Sequence, residues 1–345
     1  MDHSTKPTAR PRPSAALIWA GMLILYVVWG STYLGISIAV ESIPPFIMAG
    51  TRFALAGLVM LGAAFVLRRG ALNLPSRREW RDSFIVGGLL MGGGMGMVAL
   101  GEETVASGIA ALIVAMMPLW VAVLGRALFG ERLPLGAVIG VGIGLSGVAI
   151  LVWPSSVAAE SFNPGGILAL VISPVSWSTG SLFSAHRAKL PRDPLVATAA
   201  QMLAGSVVLA VMAAVRGELT TFRIESVTTE SLAAFGYLAV IGSLVAFTAY
   251  VWLLRVAPLP LIATYAYVNP VVAVALGAIV LSEPITPRTL VAGAVIVFAV
   301  ALIITSRSRM TKVSGAPAAE AAGTASDGAA PSRAGPAPET EPEAA

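Results

Sequence analysis

Ten runs of about twenty mainly apolar residues follow one another along this chain, and they constrain its fold more than any other feature. A helix needs roughly 20 such residues to cross the hydrocarbon core of a bilayer. The runs are continuously apolar rather than alternating, which favours helices over barrel strands. The sequence therefore predicts an all-α polytopic membrane protein. The predicted spans are 15–38, 45–67, 83–101, 105–128, 134–153, 164–184, 195–215, 231–252, 259–281 and 289–306.

The composition excludes several other classes of protein. Of the 345 residues, 57% are hydrophobic and only 12% are charged, whereas an average soluble domain is roughly 25% charged. One soluble core of this size could not bury so much apolar side chain. The chain has no cysteine, which excludes disulfides and thiolate metal sites. It also has no G-x-x-x-x-G-K run for a nucleotide, so we expect neither a cofactor nor a metal.

The basic residues are distributed unevenly between the two ends of the predicted spans. If the N-terminus is cytoplasmic, cytoplasmic segments hold 18 of the 22 Lys and Arg residues, the opposite loops hold 3, and Arg52 lies within a span. This asymmetry predicts that both termini are cytoplasmic and that the protein lies in a bacterial inner membrane. The net charge of +4 is therefore attributed to membrane topology. The expected partners are the lipid bilayer and a small-molecule substrate, not nucleic acid.

A proline–glutamate pattern recurs along the chain with an offset of 152 residues. Pro118 precedes Glu131 by 13 residues, and Pro270 precedes Glu283 by the same number. Each half contains five spans. Because five is an odd number, the second half enters the membrane from the opposite side and is inverted relative to the first. Inverted repeats are typical of secondary transporters, which bind substrate near the membrane midplane. The predicted regions are an N-terminal tail 1–14, five-helix repeats 15–153 and 164–306, and a disordered cytoplasmic tail 313–345.

Several short motifs carry a resemblance to a known family. They are Trp29-Gly-Ser-Thr-Tyr33, Pro44-Pro45, Ala49-Gly-Thr-Arg-Phe53, Ser107-Gly-Ile-Ala-Ala111, Met117-Pro118-Leu119-Trp120, Gly130-Glu131-Arg132 and Asn269-Pro270. Together they resemble the EamA branch of the drug/metabolite transporter superfamily, in particular the YedA-type inner-membrane exporters. The resemblance covers about residues 15–306. It implies ten helices in two inverted five-helix repeats around a cavity that opens alternately to each side. The family exports amino acids, metabolites and drugs, so the resemblance does not select a substrate.

Arg52 is the only full charge deep within a predicted span, since Arg126 is two residues from the end of the span 105–128. Placing a charge at the centre of a spanning helix costs about 2.5–3.5 kcal/mol on the insertion scale. One interpretation is that Arg52 faces the cavity and binds an anionic group. The alternative is that it snorkels outward, or pairs with a carbonyl group or with Glu41. Gln201 occupies the matching place in the second half, at an offset of 149, and indicates a polar cavity position.

Polar and aromatic side chains cluster in the first span and again in the sixth. Trp29, Ser31, Thr32 and Tyr33 lie near the middle of the first span, where they could contact substrate or a neighbouring helix. Trp177 is the counterpart of Trp29, at an offset of 148. We expect these residues to bind substrate, and helix packing is the competing interpretation.

Asn269 directly precedes Pro270 within a span. The proline removes one backbone hydrogen bond, so a freed carbonyl group and the Asn269 amide could face substrate. The competing interpretation is a simple kink satisfied by neighbouring groups. Four aromatic residues are further candidates for substrate contact, although aromatic belts at the membrane interface use the same residue types. They are Trp120, Tyr250, Tyr265 and Tyr267.

Glu102 and Glu103 end the third span. They could bind a proton or a cation, but a solvated helix end is the favoured interpretation. No carboxylate lies deep within a predicted span, so tight proton coupling is not expected.

Three classes of function fit a polytopic membrane protein, and the sequence favours a secondary transporter, most simply an exporter. An intramembrane enzyme would place acid pairs or a Ser–His arrangement at membrane depth, and the spans offer none. A receptor or scaffold would favour large loops or a folded soluble domain, and a sealed centre without a cavity would support it.

Overall fold

The computed structural model describes residues 14–70, 74–131, 133–152, 163–257, 259–262 and 264–314, and all regular structure within them is helical. The prediction of an all-α membrane protein is confirmed. The predicted tails lie almost entirely outside the described residues. The long helices are α1 Ala15–Val40, α2 Pro45–Leu67, α3 Arg77–Glu102, α4 Ser107–Phe129, α5 Leu135–Val152, α6 Pro164–His186, α7 Pro194–Arg216, α8 (Thr229–Tyr237, Leu238–Val245 and Ala246–Val256 in succession), α9 Tyr265–Val280 and α10 Pro287–Ser314.

Eight of these helices are long and apolar enough to cross a membrane: α1 to α4, α6 to α8, and α10. The apolar parts of α5 and α9 are shorter, at Leu135–Leu151 and Tyr265–Val280. Large apolar side chains point outward along the helices, including Trp19 in α1 and Leu58 in α2. Lipid is the solvent that accepts such a surface.

Short polar signals at the helix ends explain where several helices start and stop. Ser76 and Glu79 form a capping box, so α3 begins at Arg77 rather than at residue 83 as predicted. Asp193 caps the first turn of α7, which has proline at its first position. Gly217 ends α7 with a φ of +81°, a left-handed conformation that glycine adopts without strain.

Three of the long helices contain π-helical segments, at Leu25–Trp29, Gly88–Gly96 and Leu238–Val245. Such segments are often found at functional sites. The two prolines of the sequence repeat differ in their settings. Pro118 lies at the start of the segment Met117–Phe129, after a break in α4 that follows Val114. Pro270 lies inside the continuous helix α9.

The packing of the helices links the two halves of the chain throughout. Helix α2 packs along α7, α4 packs on α9, and α5 packs along α10. Helix α1 contacts α8 and α9, while α6 contacts α3 and α4. Helices α3 and α7 approach closely at Gly87, where a Cβ atom would collide with the backbone oxygen of Gln201.

The bundle has two ends, which we call the arginine-rich face and the arginine-poor face after the arginine content of the joints they carry. The arginine-rich face carries the joints α2–α3, α4–α5, α6–α7 and α8–α9, and the arginine-poor face carries the joints α1–α2, α3–α4, α7–α8 and α9–α10. Ion pairs and hydrogen bonds between joints of the same face agree with this division. Arg68 pairs with Asp193 on the arginine-rich face, and Arg216 pairs with Glu103 on the arginine-poor face.

Candidate functional site

A small cavity of about 60 Å³ lies where α1, α4 and α9 meet. Helix α1 contributes Tyr33, the break in α4 contributes the residues around Pro118, and α9 contributes Tyr265 and Asn269. We call this space the central cavity. Small residues of α4 and α9, including Ala111 and Ala266, complete its lining. Its position follows from the two proline-bearing helices, α4 and α9, which pack against each other there.

Asn269 gives the central cavity an unused hydrogen-bonding group. Its side chain is 8% exposed, and Oδ1 has no hydrogen-bond partner among the described residues. Most buried side-chain polar atoms do have a partner, because leaving one unpaired costs free energy. A ligand that brings a hydrogen-bonding group into the cavity would satisfy Asn269.

An aromatic cluster stands beside the cavity. The ring centroids of Trp29 and Tyr265 are 5.0 Å apart and nearly perpendicular. Trp29 and Tyr250 are 5.2 Å apart, and Tyr250 and Tyr265 are 6.2 Å apart. These distances lie in the range at which aromatic pairs attract one another. The cluster joins α1, α8 and α9, and Tyr265 belongs both to the cluster and to the cavity lining.

The hydroxyl groups of Ser31 and Thr32 are engaged in hydrogen bonds of the fold. The Ser31 hydroxyl donates to the Val28 carbonyl group at 2.9 Å and lies 2.6 Å from the Tyr237 hydroxyl of α8. The Thr32 hydroxyl donates to the Trp29 carbonyl group at 2.6 Å. In this conformation both residues support α1, and neither lines the central cavity.

Arg52 is buried, with an exposed fraction of 4%. Its Nε donates to the Ser243 hydroxyl of α8 at 2.9 Å, and its guanidinium carbon lies 5.1 Å from the centroid of the Phe53 ring. Snorkelling outward is therefore the wrong interpretation, because the side chain is directed inward. Arg52 does not line the central cavity in this conformation. The sequence predicted that Arg52 lies within a membrane span. It did not predict the contact with Ser243, because the two residues are 191 positions apart in the chain.

The remaining predicted site residues lie away from the central cavity. Trp177 of α6 packs near Gly94 of α3, and the backbone of Gln201 lies against α3. Trp120 and Tyr267 pack against the hydrophobic core that α4, α5, α6 and α10 share. The structure thus brings together Trp29, Tyr33, Tyr250, Tyr265 and Asn269, and leaves the others outside this group.

The prediction that Glu102 lies at a solvated helix end is wrong. This residue is 4% exposed, and neither carboxylate oxygen has a hydrogen-bond partner among the described residues. Its neighbour Glu103 is exposed and makes two contacts with Arg216, at 2.6 and 3.0 Å. Val98 and Ala99, which precede Glu102 and Glu103 by four residues, are both buried, so helical spacing does not separate the two glutamates.

Two carboxylates on the arginine-poor face bind the first turns of helices from the other half. Glu283 accepts hydrogen bonds from the Ser107 amide and hydroxyl, both at 2.8 Å, and from the Gly108 amide at 3.1 Å. Glu218 accepts from the amides of Phe46 and Ile47 at 3.1 and 3.0 Å. Both acids complement the positive end of a helix. Sequence reasoning missed Glu218, which lies in a polar joint without a distinctive motif.

Glu283 also lines a second cavity, which opens among the joints of the arginine-poor face. This space of about 700 Å³ has polar groups from Thr104, Asn163, Glu283 and Thr289 in its lining. We call it the vestibule. Among the described residues, no group of three His, Cys, Asp or Glu side chains is placed to hold a metal ion.

In comparisons with known proteins, the matching family and the two relatives described below are all named as transporters or as an efflux pump. The model of the EamA-like transporter family matches residues 15–153 and again residues 164–305. The uncharacterized inner membrane transporter YedA of Escherichia coli (strain K12) is 41% identical over 290 residues, which cover 83% of this chain and 90% of that protein. A probable amino-acid metabolite efflux pump of Salmonella typhimurium is 25% identical over 80% of this chain and 91% of that protein. A solved crystal structure matches 86% of this chain and 99% of its own with a TM-score of 0.58 and 21% identity, which shows a shared fold.

Proposed function

Because this chain belongs to the EamA-like transporter family and is a multi-pass inner-membrane transporter, we propose that it exports a small amphipathic molecule by alternating access. The observation that carries this proposal is the central cavity. An unpaired polar atom of Asn269 and the rings of Tyr33 and Tyr265 meet there, at the crossing of two proline-bearing helices. Such a site suits a molecule with one hydrogen-bonding group and an apolar or aromatic body.

We propose further that ten helices cross the membrane as two inverted five-helix repeats, 15–153 and 164–306. The packing pattern supports this arrangement. Exchanging α1 with α6, α3 with α8 and α4 with α9 converts the contacts of α1 with α8 and α9 into those of α6 with α3 and α4. The pairs α2–α7, α4–α9 and α5–α10 convert into themselves, as an inverted repeat requires. The two separate matches of the family model point the same way.

In this proposal both termini are cytoplasmic and the arginine-rich face is the cytoplasmic face. The unequal distribution of Lys and Arg supports this orientation. The name of the Salmonella relative, a probable efflux pump, supports export as the direction. Substrate would enter from the arginine-rich face and leave through the vestibule.

Trp29, Tyr33, Tyr250, Tyr265 and Asn269 form the proposed binding site of the described conformation. The other predicted residues would contact substrate only in conformations that reach them, and their role stays a prediction. They are Ser31, Thr32, Arg52, Trp120, Trp177, Gln201 and Tyr267.

The two other classes of function have less support. A receptor or scaffold does not need a central cavity, and one is present. An intramembrane enzyme needs a titratable pair at the site of its chemistry, and the described lining of the central cavity contains no carboxylate or histidine. The named relatives are transporters.

The first experiment measures efflux from proteoliposomes for a panel of amino acids, other metabolites and amphipathic drugs. For any transported compound, we expect Trp29→Ala to reduce the transport rate at low substrate concentration about tenfold. The loss of one aromatic contact with the substrate is worth up to about 1.4 kcal/mol, which corresponds to that factor. The matched control is Trp19→Ala, which removes a tryptophan from the lipid-facing side of the same helix, where the side chain is 57% exposed.

Equal rates for Trp29→Ala and Trp19→Ala would remove the aromatic cluster from the substrate site. If the wild-type protein moved none of the compounds while remaining folded, export of this class of molecule would be rejected.

A further inference from the structure

Glu102 has a buried carboxyl group to which no hydrogen bond is formed by the described residues. It is 4% exposed, and both of its oxygens lack a hydrogen-bond partner among the described residues. The backbone of Ser37 in α1 lies near it but forms no hydrogen bond of normal geometry to it. An ionised carboxylate without a partner is very costly to bury, and the group avoids that cost by taking up a proton.

The charges around Glu102 favour its neutral form as well. On the elements packed against the end of α3, the titratable neighbours whose charges interact with Glu102 are Glu283, beyond α9, and Tyr33 in α1. No Lys or Arg of the described chain forms an ion pair with Glu102, since Arg216 is bound to Glu103 and Glu218. Three donors form hydrogen bonds to the carboxyl oxygens of Glu283, whereas none reaches Glu102 among the described residues. Of the two neighbouring acids, Glu102 is therefore the one whose charge would have no compensation.

The location of Glu102 connects the two cavities. Its neighbour Tyr33 lines the central cavity, and its neighbour Glu283 lines the vestibule. Thr104 and Val105, two and three residues after Glu102, also line the vestibule. When the arginine-poor face opens, water in the vestibule has a short path to this carboxyl group.

We propose that Glu102 is a proton-binding site that couples closure of the arginine-poor face to protonation. This inference rests on the proposed alternating-access transport. In the described conformation the neutral carboxyl group allows the end of α3 to pack against α1 and α6. When the face opens, the O–H bond of Glu102 breaks, the proton passes to vestibule water, and a hydrated carboxylate remains. Closing the face again requires the reverse step, in which vestibule water returns a proton to the carboxylate, so a lower proton concentration in the vestibule favours the open face.

The direct test is infrared difference spectroscopy of the full-length protein at neutral pH. We expect the wild-type spectrum to contain the carbonyl stretch of a protonated, unbonded carboxyl group, and Glu102→Gln to remove it. The matched control is Glu103→Gln, which changes the adjacent, exposed glutamate and should leave the band in place. An identical band in the wild type and in Glu102→Gln would overturn the proposal.

The Gln substitution keeps the shape of a neutral carboxyl group, so we expect it to fold. If it does not, Glu102→Asp provides the same test, because it retains a carboxyl group and should shift the band without abolishing it. An unchanged band frequency in Glu102→Asp would equally overturn the assignment to Glu102.

Transport assays separate this inference from the proposed function. In proteoliposomes, raising the pH on the arginine-poor side should accelerate wild-type and Glu103→Gln efflux, and Glu102→Gln should lose at least 90% of that acceleration. Glu102→Gln should still exchange labelled for unlabelled substrate, because the central cavity is intact. A response to this pH change that survives in Glu102→Gln would refute the coupling while leaving the transporter proposal in place. Absence of wild-type transport would refute the transporter proposal and the coupling that rests on it, whereas the infrared band tests proton binding by Glu102 without substrate.

Discussion

The two faces of the bundle hold the halves together by different means. On the arginine-poor face, Glu218 and Glu283 reach across to backbone amides at the first turns of α2 and α4. On the arginine-rich face, the ties are side-chain contacts: Arg68 forms an ion pair with Asp193, and the Nε2 atom of His186 lies 3.4 Å from Oε1 of Glu131. The side chain of Glu218 is 5% exposed, whereas that of Arg68 is 58% exposed.

This difference bears on how the two faces open. Separating a buried carboxylate from backbone donors leaves both sides without partners until water enters. An exposed ion pair exchanges its partner for water with little change in free energy. The exception on the arginine-rich face is the buried Asp82, which accepts from the Lys189 amide. We therefore expect the arginine-poor face to resist opening more strongly than the arginine-rich face.

Among the substitutions that test this difference between the faces, we expect the largest loss of stability from replacing Glu218. Glu218→Ala removes the acceptor for two amides of α2 and one contact of Arg216. We expect the free energy of unfolding to fall by about 2–3 kcal/mol, as for hydrogen bonds to a charged group. Thermal unfolding in detergent measures the change. Glu218→Gln retains an acceptor oxygen and should recover part of the loss. A midpoint equal to the wild type in Glu218→Ala would remove the distinction between the faces.

A smaller effect is expected when Glu283 is replaced by Gln. The first turn of α4 keeps one neutral acceptor but loses the negative charge that complements its positive end. We expect the vestibule to open more often, which site-directed labelling measures as a several-fold faster reaction.

The chain has no cysteine, so Ile109→Cys in the vestibule lining provides a single labelling site without further changes. Glu103→Gln is the control for loss of one acid on the same face. If Glu283→Gln left the labelling rate unchanged, the contact with α4 would not restrain this face.

The smallest effect is expected on the arginine-rich face. Arg68→Ala removes a partner from Asp193, which still caps its own helix through the Leu195 amide. The pair is exposed, so the free energy of unfolding should change by less than about 1 kcal/mol. Thermal unfolding beside Glu218→Ala makes the contrast direct, and equal losses in the two variants would show that the faces are equally restrained.

The sequence predicted the helical class and the approximate place of every long helix, because the need to satisfy backbone groups in lipid leaves few alternatives. It placed Tyr33, Tyr265 and Asn269 among the site candidates, and these residues meet at the central cavity. It did not separate them from Trp120 or Trp177. An aromatic side chain in a span has the same local signal whether it faces a cavity or a neighbouring helix.

The apolar runs, the proline–glutamate repeat and the uneven distribution of Lys and Arg were decided by the sequence alone, since each depends only on local composition and spacing. The burial of Glu102 was decided by tertiary structure, because the groups near it belong to α1 (Tyr33 and Ser37) and to the joint after α9 (Glu283), both far from Glu102 along the chain. The same holds for Arg52, whose partner Ser243 is supplied by the other half. A charge pattern indicates which residues are costly to place in lipid, and only the packed bundle determines what compensates that cost.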